Sequence, residues 1–352
     1  MSRFSKFLRL VGGAAALGAA AWGGYEVFRP AYLGGAGISY GAAFAPVRDQ
    51  DVDFHIWYPA EPGGKAVTVG GNGVFFGTEA GRRAPHRAGR FPLVVISHGA
   101  GGNAGQFGWI ASELATAGFV VVLPNHPGTT TGNASAEAAV RVWERPADVS
   151  AVLDEIFGNP DLYPYIDTGN VTALGFSAGG YTAMALSGAR VDPDRLQRFC
   201  DETDHGMSDC AFLAHNGIDL HSMDLRPAGQ DLRDPRIRNA VIIDPGIIGT
   251  ITDESLGAIT IPMLIINLGA EADVPDGVFA KDAASRINGA RHMFVEDATH
   301  FSFLAECTAR GPGILVDEGE LDPLCEDAGG RSREEIHREL KTIILQYLRE
   351  VA

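Results

Sequence analysis

The stretch VTALGFSAGGYTAMALS, Val171–Ser187, decides how the chain is read. Val171 to Leu174 is a short apolar run of the kind that fills a buried strand, and Ala178 to Ser187 has the composition of a helix. Gly175-Phe176-Ser177-Ala178-Gly179 joins the two through a bend too sharp to tolerate side chains at its flanks. A bend of this kind pushes Ser177 out at the carboxyl edge of a sheet, where its hydroxyl is a candidate nucleophile. The plainer alternative is an incidental Gly/Ser turn, and the position between strand and helix argues against it.

The same alternation extends in both directions. Leu93–Ser97, Phe119–Leu123, Ala240–Ile243, Pro262–Leu268 and His292–Val295 are β-branched runs without a polar face, as expected of strands inside a parallel sheet. Helical patterns at Gln106–Ala117, Pro146–Phe157, Ala178–Ser187 and Asp276–Ile287 separate them. This spacing predicts an α/β fold: one mostly parallel sheet of about eight strands, covered by helices on both faces. Asp51–Tyr58 (DVDFHIWY) alternates apolar with polar and reads as a half-buried antiparallel strand. The glycine-rich stretch that follows, to Gly89, reads as loops with one short hairpin. Ser332 and Glu335 form a capping box before a final helix whose apolar stripe is Ile336, Leu340, Ile343, Ile344 and Tyr347. Arg190–Arg238 is too long for an ordinary connection and is expected to be a lid, so the domain is taken as residues 41–352 with an insertion around 190–238.

A serine hydroxyl needs a general base to act at neutral pH, and in a strand-turn-helix setting the order along the chain is Ser, acid, His. His300, in the loop after the last expected strand, is the candidate base; His292 and His337 fit structural or exposed positions better. Two aspartates end successive strands, Asp273 and Asp244. Either can hold an imidazole in its productive tautomer, and Asp273 is preferred. Ser97-His98-Gly99-Ala100-Gly101-Gly102 supplies a loop for anion-binding amides, so the backbone N–H groups of Ala100 and Ala178 are the candidate oxyanion donors. His98 reads as a brace for that turn.

A net charge of −16 excludes the sequence-independent grip on nucleic acid that clustered Lys and Arg provide. Arg3, Lys6 and Arg9 precede an Ala/Gly-rich apolar run from Leu10 to Trp22, which reads as an export signal. It is either cleaved near Ala19–Ala21 or kept as a membrane anchor with a glycine-rich tether at Leu33–Gly37. The expected location is therefore periplasmic, secreted or membrane-anchored. Four cysteines in two local pairs, Cys200 with Cys210 and Cys307 with Cys325, suggest two disulfides in an oxidising compartment. The insertion is rich in Asp and His but lacks metal-ligand spacing, and no nucleotide fingerprint occurs, so neither metal nor cofactor is expected.

With these motifs in place, the chain resembles the α/β-hydrolase superfamily over nearly all of Asp51–Leu348. The segment LVVISHGAGGNAGQFGWIASELATAGFVVVLPNHPG (Leu93–Gly128), the FHIWYP strand and HFSFLAEC (His300–Cys307) look like the platelet-activating-factor acetylhydrolase and predicted dienelactone hydrolase group. The resemblance implies a cofactor-free Ser-Asp-His esterase for short-acyl or activated carboxylic esters. Similarity to the acid-bearing turn of bacterial polyester hydrolases favours Asp273, while platelet-activating-factor acetylhydrolases place the acid one strand earlier, favouring Asp244. The alternatives are an interfacial phospholipase or polyester hydrolase, and a non-catalytic binding protein on the same fold.

Overall fold

The computed structural model describes residues 31–201, 205–320 and 322–352. The export signal expected before residue 31 lies outside them, and no described helix is long and apolar enough to cross a membrane. Ten strands form one sheet in the order β12-β11-β10-β9-β5-β6-β2-β1-β4-β3. From one edge these are β12 (Arg291–Val295), β11 (Met263–Leu268), β10 (Ile237–Ile243), β9 (Ile166–Phe176), β5 (Phe91–Ser97) and β6 (Val120–Pro124), all parallel. The sheet continues through β2 (Gln50–Pro59), antiparallel to β6, then β1 (Ala36–Ala45), antiparallel to β2, β4 (Thr78–Arg82), parallel to β1, and β3 (Lys65–Val69), antiparallel to β4. A two-stranded ribbon, β7 (Thr129–Thr130) and β8 (Asn133–Ala134), stands apart beside the β5 loop.

The parallel strands alternate their side chains between two buried layers. Leu93 and Val95 face one core and Val94 and Ile96 the other; Ala240 and Ile242 are likewise opposed to Val241 and Ile243. Strands buried on both faces explain why these runs carry no polar periodicity. The final helix, Arg333–Val351, buries Ile336, Leu340, Ile344 and Tyr347 against the second layer, and the Ser332–Glu335 capping box is formed.

Three expectations are corrected. The sheet has ten strands, not eight, because β3 and β4 extend its far edge and β1 begins at Ala36, ahead of the boundary placed at residue 41. Gly37, which reads as tether, lies opposite Tyr58 in the β1–β2 register, as Gly41 lies opposite Phe54. A Cβ at either would sit 2.3–2.4 Å from those rings, so these glycines make room for cross-strand aromatics. Finally, Asp276–Ile287 is not one helix: a turn at Asp276–Val278 precedes a helix at Lys281–Arg286. The buried Asn267 amide donates to Val278 O and its oxygen accepts from Ala280 N, taking backbone groups a continuous helix would use.

Burial keeps several histidines neutral. It lowers the pKa of His55 and His337 to about 4, and together with the nearby Arg145 cation it draws His98 and His126 well below the usual value. Unfolding returns each to near 6.5, so between about pH 6.5 and 4 the unfolded chain binds more protons and stability falls as pH is lowered. Urea unfolding at pH 7 and pH 5 should show this loss. His337→Gln should flatten the slope by about one proton, roughly 1.4 kcal/mol per pH unit.

Candidate active site

β9 sits in the middle of the sheet between β5 and β10, and its last residue leads into Ser177 and the helix Ala178–Leu186. Ser177 has φ 56° and ψ −124°, a strained conformation for a non-glycine residue. Neighbouring backbone holds it there: Ser177 N–H donates to Ile243 O at the end of β10, and Ser177 O accepts from Gly246 N. The flanking glycines are obligatory. A Cβ on Gly175 would lie 1.9 Å from Gly179 O, and one on Gly179 would lie 1.9 Å from Ser97 O, both far inside contact.

His300 opens a tight turn, His300–Phe303, capped by Thr299 and Ser302. That turn is fastened from behind by Trp109 Nε1 to Phe303 O and by His337 Nε2 to Ser302 O and Leu304 O. The His300 ring is buried and lies 4.7 Å, centroid to centroid, from Phe176, the residue before Ser177. Its Nδ1 donates to Asp244 Oδ2 at 3.0 Å. Asp244, fully buried, accepts further bonds on Oδ1 from Asn267 Nδ2 and Leu268 N. The Ser177 hydroxyl makes no hydrogen bond among the described residues. A serine and base that draw together only around substrate are common before the reaction complex forms.

The structure pairs His300 with Asp244 and not with the preferred Asp273. Its side chain is exposed, forms no hydrogen bond among the described residues, and belongs to a turn leading away from the sheet after Gly269. Asp244 ends β10, the strand directly beside β9, whereas Asp273 follows β11, one strand further out. Which strands are neighbours is what decides the partner of His300.

The loop after β5 brings Ala100 to the same place. A Cβ on Gly99 would meet Ser177 Cβ at 3.3 Å, and Ala100, Ser177 and Ala178 share the wall of one cleft of about 290 Å³. The amides of Ala100 and Ala178 form no hydrogen bond among the described residues. Among the described residues the long insertion adds no strand to the sheet before β10 begins at Ile237; it contributes Leu196, Phe199, Phe212 and Leu220 to the cleft wall. Cys200–Cys210 closes a loop that carries part of this wall, and Cys307–Cys325 ties the chain just past the His300 turn to the approach to the last helix. Of the acidic and imidazole groups in the insertion, His221 pairs with Asp201 at 2.8 Å; no three such groups converge on a metal-sized site among the described residues.

Sequence reasoning missed a second polar cluster beneath the Ala100 loop. Arg145, Asp148 and His126 are completely buried there, with Arg48 reaching in to bind both oxygens of Asp148. The only available signal was charge in the first turn of an amphipathic helix, which ordinarily marks a solvated helix end.

Residues 79–196 match the Dienelactone hydrolase family, a third of the chain that includes Ala100 and Ser177 but ends before Asp244 and His300. The fold is that of a ferulic acid esterase from Streptomyces cinnamoneus, with TM-score 0.57 and 16% identity over 92% of this chain and 90% of that one. The chain has the α/β-hydrolase fold. Other α/β-hydrolase structures align as widely: a dienelactone hydrolase-like promiscuous phosphotriesterase from metagenomic libraries at TM-score 0.50 and 13% identity, covering 90% of this chain and 99% of that one. An acylaminoacyl peptidase from Pyrococcus horikoshii has TM-score 0.50 and 12% identity over 91% of this chain but only 42% of its own. No curated protein sequence matches the chain. At these identities the likeness is one of fold.

Asp244→Asn should slow phosphonylation of Ser177 by a fluorophosphonate on the order of 10³-fold, by removing the carboxylate that orients His300. Asp273→Asn should leave the rate within about twofold. Mass spectrometry of the labelled peptide over time reads both.

Proposed function

We propose that this protein is a serine esterase that hydrolyses uncharged carboxylic esters through an acyl-enzyme on Ser177. The observation that carries the reading is the Asp244–His300 hydrogen bond at 3.0 Å, with the imidazole against the strand end that presents Ser177. In this reading His300 Nε2 takes the Ser177 proton as Oγ attacks the acyl carbon. Asp244 stabilises the imidazolium, and the Ala100 and Ala178 amides hold the oxyanion. The proton then passes to the departing alcohol, and a water activated by the same imidazole releases the acid and regenerates the serine.

The cleft supports a further restriction on substrate. Its wall is apolar at Val140, Leu196, Phe199 and Leu220, while Asp209 and Asp322 stand at one side and no Lys or Arg lines it among the described residues. An acyl chain ending in a carboxylate would meet like charge there, so neutral acyl groups are the proposed substrates. The two disulfides support placement in an oxidising, exported compartment. The alignment to an esterase and to a phosphotriesterase agrees with hydrolysis in general and does not choose the ester.

Ser177→Ala should reduce hydrolysis of p-nitrophenyl butyrate by on the order of 10⁵-fold or more, and parent-like turnover would reject the reading. A p-nitrophenyl hemiglutarate ester should show kcat/KM at least about tenfold below the neutral ester of similar length, with Asp209→Asn narrowing the gap. Equal rates on both would remove the charge argument. Faster turnover of aggregated lipid or polyester than of soluble esters would favour an interfacial enzyme instead.

A further inference from the structure

We propose that Arg145 and His98 are positioning residues that aim the Ala100 amide at the oxyanion, an inference that rests on the esterase reading above. The peptide between Gly99 and Ala100 is planar and trans, so its carbonyl and its N–H point in opposite directions. Fixing one fixes the other. The Gly99 carbonyl accepts from His98 Nδ1 at 2.7 Å, from Arg145 Nη2 at 3.2 Å and from Gly102 N at 3.2 Å. Arg145 Nη1 also holds the preceding carbonyl, His98 O, at 2.7 Å, and its Nε donates to Thr129 Oγ1 at 3.1 Å. One guanidinium thus holds two successive carbonyls toward the interior, and the Ala100 N–H is left facing the cleft it shares with Ser177.

The brace continues one layer deeper. His126 N–H donates to His98 Nε2 at 3.2 Å, which assigns the single His98 proton to Nδ1, the atom that bonds Gly99 O. His126 is itself held between Ser97 Oγ at 2.8 Å and Asp148 Oδ2 at 2.9 Å. Ser97, His126 and Asp148 therefore form a second Ser-His-Asp chain, all at most 2% exposed and absent from the cleft wall. No ester reaches it, so its work is to fix the rings under the loop. A buried guanidinium is costly to desolvate, by several kcal/mol. Burial lowers Arg145 to about 9, which leaves it cationic at pH 7. A cation retained at that cost, with two donors directed at successive carbonyls of the loop and a third at Thr129, is explained by what it orients.

The test uses the full chain carrying Arg145→Gln or Arg145→Lys, with two readouts. Crystal structures should show the Gly99 carbonyl rotated out of the interior and the Ala100 N–H turned from Ser177. Kinetically, kcat for p-nitrophenyl butyrate should fall on the order of 10²-fold with KM changed less than about threefold. Affinity for a trifluoromethyl ketone, whose hemiketal oxygen sits where the oxyanion forms, should fall by the same factor as kcat; Arg145→Lys should recover part of both. General loosening of the cleft would instead raise KM and weaken product binding equally. An unturned peptide with unchanged ketone affinity overturns the proposal. If neither variant folds, Thr129→Val removes the acceptor that orients Arg145 Nε, together with the longer bond from Thr129 Oγ1 to His126 O, and the same two readouts decide, in the same direction. Should the wild-type protein fail to react with a fluorophosphonate at Ser177, the esterase reading falls, and the peptide orientation still tests the positioning claim.

Discussion

The approach of Gly179 to Ser97 O is the constraint on which the site depends. No side chain fits between them, so the helix after β9 packs directly on the end of β5. That contact brings two loops from distant parts of the chain to one point. The Ser177 bend and the Ala100 loop become neighbours because both strands end at the same edge, and the glycines let their backbones touch. A strained serine at φ 56° is tolerable because the bonds to Ile243 O and from Gly246 N hold it on both sides.

Two Ser-His-Asp chains lie in one small region, and solvent access separates them. Ser177 stands on the wall of a cleft with His300 and Asp244 buried behind it, whereas none of Ser97, His126 and Asp148 reaches that wall. The same residue types, with His–Asp links of 2.9 and 3.0 Å, serve rigidity in one case and proposed catalysis in the other, and only the buried serine is bonded to its histidine. Hydrogen-bond geometry alone therefore does not identify chemistry: a reacting atom must also be able to enter. Beneath the site, the cost of burying Arg145 and Asp148 is offset by a network in which Arg48, Thr129 and the His98 and Gly99 carbonyls satisfy their polar atoms.

The outer wall of the cleft comes from the segment that interrupts the strand–helix rhythm. Leu196, Leu220, Leu225 and Ala228 of this segment pack into a small core with Val140, Trp143 and Tyr181, and Cys200–Cys210 adds a covalent restraint to it. Leu196, Phe199, Leu220 and Asp209 of the cleft wall come from this segment and Asp322 from the region before the last helix, so in the proposed reading substrate choice and chemistry fall to different parts of the fold.

The strand and helix pattern, the glycine-flanked bend, the late histidine and the cysteine pairs were legible along the chain, because local sterics and hydrophobic periodicity act over a few residues. The ten-strand order was not, since Gly37 and Gly41 reveal their purpose only when Tyr58 and Phe54 lie across from them. Nor was the partner of His300. Asp244 and Asp273 have equivalent local sequence settings, and only the placement of β10 beside β9 puts one carboxylate within 3.0 Å of the ring. Arg145 was hidden for the same reason: a charged residue at a helix start is ordinarily solvated, and its burial follows from what packs over it, which is a property of the assembled fold.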